Sequence, residues 1–274
     1  MNNFQKRVLS AIAIVSVTLF GLFMSPMSFK VLFFIITLGC WWEYMQLTLE
    51  DAASRRVLGV VLCSVIYWTW PNLPDSYPAI SVLFFTTLII VLLILEVFLQ
   101  SDHPFKNVAF FVLGVFYIIL PFTMLNDLTV DHFQGRNTFS PRLVAGIISL
   151  TWIYDTSAYL IGTRFGQNLL IPGVSPKKTW EGTIGGAGVC ILASLLVAPL
   201  AKTYTTLDWF IIGIIVSVAG LLGDLVESLF KRSVGVKDSG MILPGHGGFL
   251  DRFDSFVVII PFVYLFLVIK SAYN

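Results

Sequence analysis

From one end to the other the chain alternates long apolar runs with short polar breaks, and that pattern leaves few folds open to it. Of its 274 residues, 57% are hydrophobic, and the mean hydropathy is +0.86. Such a composition cannot supply a polar surface all round a water-soluble domain. In a bilayer, by contrast, each apolar run can close its own backbone hydrogen bonds as a helix. The expected fold class is therefore all-α, a polytopic membrane protein. Taking roughly 17–25 residues per crossing gives about nine spans, near 8–24, 27–47, 57–72, 77–99, 108–126, 143–163, 182–201, 208–231 and 253–271. Pro71 and Pro74 cut the third short, because proline removes a helical donor. Lys6 and Arg7 before the first run imitate a secretory leader, but no small-residue cleavage site follows and a second span comes almost at once. An uncleaved first helix is expected.

Nine spans put the two termini on opposite sides. Most of the 17 Lys and Arg, beginning with Lys6, Arg7, Arg55 and Arg56, fall on the N-terminal side, while Lys30, Arg136, Arg142, Lys202 and Lys270 fall on the other. The N-terminus and the loops at 164–181 and 232–252 are accordingly expected in the cytoplasm. A net charge of +1 offers no bulk attraction for nucleic acid. Cys40, Cys63 and Cys190 sit in apolar stretches without metal-ligand spacing and read as helix-packing residues.

Residues 1–140 read as transmembrane scaffold, and 141–274 as a catalytic transmembrane region with its site at the cytoplasmic edge. No internal repeat or soluble domain interrupts either. In the first region Glu43 and Glu96 lie near helix ends and are expected to be solvated there or paired with arginine. The second region carries three polar segments. In the sixth span Asp155, Tyr159 and Gly162 fall on one helical stripe, and a buried carboxylate needs a cation or donor. Next, Ser175-Pro-Lys177-Lys178-Thr-Trp-Glu-Gly182 places paired lysines before a glycine-rich span. Such lysines suit a polyphosphate or a lipid headgroup, and the glycines suit close helix packing.

The third segment, residues 224–255, is the most charged. Asp224, Glu227, Ser228 and Lys231 share one face of the eighth span, and Asp251 and Asp254 repeat the i, i+3 spacing at the start of the ninth. Hard oxygen ligands from two helix ends suit Mg²⁺, and no His/Cys set suited to structural zinc is present. Between them runs Pro244-Gly-His246-Gly247-Gly248, whose glycines let backbone N–H groups approach an anion. His246 is placed to donate to phosphate, shuttle a proton or cap the turn; His103 and His132 read as surface residues. Carboxylates for a divalent metal, several bases and a glycine loop at the lipid interface fit phosphoryl or nucleotidyl transfer.

The run from Ser228 to Asp254, SLFKRSVGVKDSGMILPGHGGFLDRFD, closely resembles the signature of the phosphatidate cytidylyltransferases, the CDP-diacylglycerol synthases. The SPKKTWEG segment and the D-x3-Y-x2-G of the sixth span also resemble that family, whereas the first 140 residues resemble it only in hydropathy. The resemblance implies that CTP and phosphatidic acid give CDP-diacylglycerol and pyrophosphate with Mg²⁺, with room for a second cation such as K⁺. It implies a metal centre at Asp224, Asp251 and Asp254, with Glu227 and Asp155 as further ligands or supports. Lys237, Asp238, His246, Asp251 and Arg252 become catalytic candidates. Ser175, Lys177, Lys178, Lys231, Arg232, Gly247 and Gly248 become the substrate-binding set. Asp238 either orients Lys237 or acts as an acid. The implied setting is a bacterial inner membrane with the site facing the cytoplasm, no nucleic acid and a homodimer. The rival readings are a transporter with a charged pathway and another lipid phosphotransferase; the D-x2-D-G-x2-A-R motif of CDP-alcohol phosphotransferases does not occur.

Overall fold

Helices start and stop where the sequence supplies caps and prolines. The computed structural model describes residues 16–49, 53–72, 78–134, 138–236, 239–240 and 248–273. Helix α1 occupies residues 16–23. Ser25 caps α2 (Pro26–Thr48) in a reciprocal box: Ser28 N donates to Ser25 Oγ at 3.0 Å and Ser25 N to Ser28 Oγ at 2.9 Å. Helix α3 (Ala53–Thr69) gives way to a 3₁₀ turn, Trp70–Asn72, that contains Pro71, and α4 runs over Pro78–Leu99. Helices α5 (Pro104–Gly114) and α6 (Leu120–Asp127) form one rod through a wide π turn at Val115–Ile119. Pro121 lacks an N–H and crowds the carbonyl four residues back, at Tyr117, and the wide turn accommodates this. Then follow α7 (Arg142–Phe165), strands β1 (Leu169–Ile171) and β2 (Ser175–Thr179), α8 (Trp180–Ala201), α9 (Thr206–Ser233) and α10 (Leu250–Tyr273).

Among the described residues, seven stretches are long and apolar enough to cross a membrane: α2, Ile80–Leu99, the α5–α6 rod, and α7 to α10. They coincide with seven of the expected spans. The count of nine is not reached among the described residues: α3, at 17 residues, stops at the short limit for a crossing, and only residues 16–24 of the expected first span are among them. A second difference is the antiparallel hairpin β1–β2, paired Leu169↔Thr179 and Ile171↔Ser175, in a stretch read as plain loop.

Small residues let α7 and α8 approach closely, as the glycine pattern leads one to expect. A Cβ placed on Gly186 would stand 2.7 Å from Ala158 Cβ. Aromatic side chains join the two regions: Phe33 of α2 stacks on Phe256 of α10 at 6.4 Å between centroids, and Phe122 of α6 meets Phe253 at 6.0 Å. All three cysteines are buried free thiols, in keeping with packing roles.

Helix α9 sets the level of the polar cluster. Its 28 residues extend about 42 Å at 1.5 Å per residue, against about 30 Å of hydrocarbon. One end is pinned by the Thr205/Asp208 capping box and by Lys270 of α10, whose ammonium pairs with Asp208. The turns that carry Asp224 to Lys231 lie at the other end, and the helix has length to spare beyond one crossing.

Candidate active site

Two lysines, each answering acids from a different element, organise this end of the bundle. Lys231 lies one turn after Glu227 on α9. Its Nζ is 2.5 Å from Glu227 Oε2 and 2.7 Å from Asp251 Oδ1 on α10. Asp251 Oδ2 accepts from Gly248 N at 3.0 Å and from Ser239 N at 3.1 Å. Glu227 is 1% exposed, and its Oε1 has no protein partner. Helical periodicity alone puts Glu227 beside Lys231; Asp251 arrives because α10 packs antiparallel on α9. Gly223 permits that contact, since a Cβ there would come within 2.7 Å of Asp254 O.

The second lysine comes from the hairpin. Thr179 caps α8, its Oγ1 accepting from Gly182 N at 3.2 Å. Glu181 accepts from Gln167 N at 3.1 Å and Asn168 Nδ2 at 2.7 Å, which straps β1 to the start of α8. With the hairpin fixed, the period of two along β2 separates its neighbours. Lys178 turns inward, its Nζ 2.6 Å from Asp224 Oδ2, whereas Lys177 is exposed. The lysines read as a pair thus face different ways. Asp155 on α7 and Asp254 on α10 lie within electrostatic range of Lys178 and Asp224, while the ammonium contacts Asp224 directly.

The structure brings together most of the described candidates and separates some. Asp224, Asp254, Asp155 and Lys178 form one cluster; Glu227, Lys231 and Asp251 form the other. Asp251, expected with Asp224 as a metal ligand, has both oxygens engaged by Lys231 and backbone amides. Among the described residues no three acids, histidines or cysteines converge on a ready-made metal position. The donor set nevertheless fits Mg²⁺: hard carboxylates, more negative than the one lysine among them neutralises, open enough to leave room for water and phosphate oxygens. Ser175 is half-buried on β2. Arg232 is exposed, with Nη1 donating to Val236 O at 3.3 Å, and Arg252 is exposed beside Asp251. Gly248 is buried. Lys237, Asp238, His246 and Gly247 lie outside the described residues, as does the side chain of His132. Tyr159 is 70% exposed, while Gly162 packs toward Thr179 and Gly182, so the stripe on α7 splits between two surroundings.

Both acids of the first region depart from solvated helix ends. Glu96 is buried and paired with Arg55, one of the two expected alternatives. Glu43 fits neither. It is 0% exposed and accepts from Ser239 Oγ at 3.1 Å and from Phe249 N and Leu250 N at 3.0 Å each. The available signal was the cost of an acid in an apolar helix, which demands partners; nothing local names them.

Comparison with known proteins agrees with the family resemblance of the sequence. The model of the family described as "Cytidylyltransferase family" matches residues 5–270. A phosphatidate cytidylyltransferase of Staphylococcus saprophyticus is 39% identical over 180 residues, covering 65% of this chain and 66% of its own. That of Staphylococcus haemolyticus is 38% identical over 180 residues with the same coverage. One of Staphylococcus aureus is 39% identical over 175 residues, 62% of each chain. The chain thus spans just under two thirds of the length of these curated relatives.

Proposed function

The chain belongs to the cytidylyltransferase family, and we propose that it transfers the cytidylyl group of CTP to phosphatidic acid, giving CDP-diacylglycerol and pyrophosphate. The observation that carries this reading is the Lys178–Asp224 pair with Asp155 and Asp254 within electrostatic range of it, at the C-terminal end of α9, which this reading sets at the membrane edge. That level suits substrates of opposite character: CTP arrives from water while the acyl chains stay in the bilayer. In the reaction a phosphate oxygen of phosphatidic acid forms a bond to the α-phosphorus of CTP. The bond from that phosphorus to the bridging oxygen breaks, and pyrophosphate leaves with the electron pair. The attacking oxygen is already anionic near neutral pH, so charge neutralisation and alignment matter more than a strong base.

Bound Mg²⁺ would supply a positive charge against the triphosphate. Asp224 and Asp254, with Asp155 beside them, would hold it, and a second cation such as K⁺ would draw on the same carboxylates. Asp251 would join only by giving up Lys231 or its amides; as it stands, it orders the start of α10. Lys177, exposed on β2, would meet the nucleotide phosphates first, with Arg232 and Arg252 supplying further charge. Lys178 and Lys231 neutralise the neighbouring acids until substrate arrives. The same reading places the site on the cytoplasmic side of a bacterial inner membrane, supported by the Lys/Arg asymmetry, and includes a homodimer, to be counted by mass in detergent.

The test is incubation of the purified protein with phosphatidic acid, Mg²⁺ and CTP labelled at the α-phosphate. Label entering the lipid phase with release of pyrophosphate, both stopped by EDTA, is the expected result. Folded protein that yields no labelled lipid would overturn the reading.

A further inference from the structure

We propose that Glu43 is a positioning residue for the transfer: from α2 it clamps both ends of the signature loop and so holds the first turn of α10, with Asp251 and Asp254, against α9. The inference rests on the cytidylyltransfer reading for its effect on turnover, but not for the clamp. The N-terminus of a helix leaves backbone donors without intrahelical partners, and a nearby Ser, Thr, Asp or Asn usually answers them. In α10 the task is divided. Asp251 reaches back to Gly248 N, while Phe249 N and Leu250 N, at the helix start, donate to the two oxygens of Glu43 at 3.0 Å each. Ser239 Oγ, on the other side of the loop, donates to Glu43 Oε2 at 3.1 Å. One carboxylate therefore takes three donors from both ends of the loop, and the positive end of the α10 dipole favours its charge.

The glycines around Glu43 point to the same role. A Cβ on Gly240 would lie 2.5 Å from Glu43 Oε1, and one on Gly248 would lie 2.8 Å from Glu43 Cδ. One turn before Glu43, a Cβ on Gly39 would stand 2.7 Å from the ring of Phe249. Three positions are thus bare where loop and helix meet, and any side chain at them would push the carboxylate or the ring away. Asp251 and Asp254 follow directly from the clamped residues, so a shift of Leu250 is passed to both. Lys177, Lys178 and Arg232 stand on β2 and α9, whereas the hydrogen bonds to Glu43 come from the loop and α10.

Glu43→Gln tests the clamp, because its amide turns one acceptor into a donor facing another donor. The full chain is compared with the variant by hydrogen exchange at the amides of Phe249 and Leu250 and by steady-state kinetics. The expected result is exchange faster by about tenfold or more at those two amides with α7 to α9 unchanged. Turnover number should fall about tenfold to a hundredfold, as a displacement near 1 Å produces, while the KM for CTP moves less than about threefold. Unchanged exchange at 249 and 250 would overturn the clamp. Faster exchange with undiminished turnover would overturn the positioning role, and so would faster exchange throughout α7 to α9, which marks general loosening. If Glu43→Gln does not accumulate, Glu43→Asp, which keeps the charge and shortens the reach, is read against the same outcomes. Wild-type protein that makes no CDP-lipid would sink the proposed reaction alone, because the exchange comparison still decides the clamp.

Discussion

Arg55–Glu96 in the first region and Lys178–Asp224 in the second are both ion pairs between elements, yet they are built in opposite ways. The arginine pair is forked: Nε meets Glu96 Oε1 at 2.9 Å and Nη2 meets Oε2 at 3.0 Å, with Asn107 Nδ2 adding a third donor at 3.3 Å. Its side chains are 7% and 8% exposed. The lysine pair has one contact, its side chains are 26% and 33% exposed, and two more carboxylates lie within its electrostatic range. A planar guanidinium with matched acceptors has little left to offer a ligand, whereas a point charge among several acids keeps spare capacity on both sides. Closed pairs brace a fold; open ones can exchange partners when substrate arrives.

The sharpest break of that contrast is at Arg55. Arg55→Ala leaves Glu96 buried without its cation and should cost about 3–5 kcal/mol, seen as a fall in Tm in detergent, with the turnover of the surviving folded fraction near wild type. A catalytic collapse at unchanged Tm would show that the first region is no mere brace. Next in size, Asp224→Asn should lower turnover by about a hundredfold to a thousandfold, the scale of losing one charge-stabilising group, with Tm little changed. Near-normal Mg²⁺-dependent turnover would remove Asp224 from the metal. The smallest and most discriminating effect separates the adjacent lysines. Lys177→Ala should raise the KM for CTP by about threefold to tenfold with turnover number kept, whereas Lys178→Ala should chiefly lower turnover number. Equal effects from both would mean that the strand does not divide their roles.

Much of the second region's chemistry was legible in advance because helix spacing is local. Asp224, Glu227 and Lys231 share a face by arithmetic, and Glu227 does meet Lys231. Whether Asp224 and Asp251 serve one metal is not legible from spacing, since it depends on how far α10 slides along α9. That slide is set by close approaches such as Gly223 to Asp254. The hairpin escaped notice because its strands are only three and five residues long, too short to show alternation. Once they pair, however, they decide which lysine reaches Asp224.

By itself the sequence determined the membrane class and the residue types gathered at the polar end. Hydropathy sums along the chain and helical periodicity acts within a few residues, so neither needs a partner from elsewhere. Only the tertiary structure decided which lysine answers which acid, and that Glu43 holds a loop whose first anchor, Ser239, lies 196 residues away. A buried carboxylate must find donors, but its own position in the chain does not say whose they are; packing of α2 against α10 does.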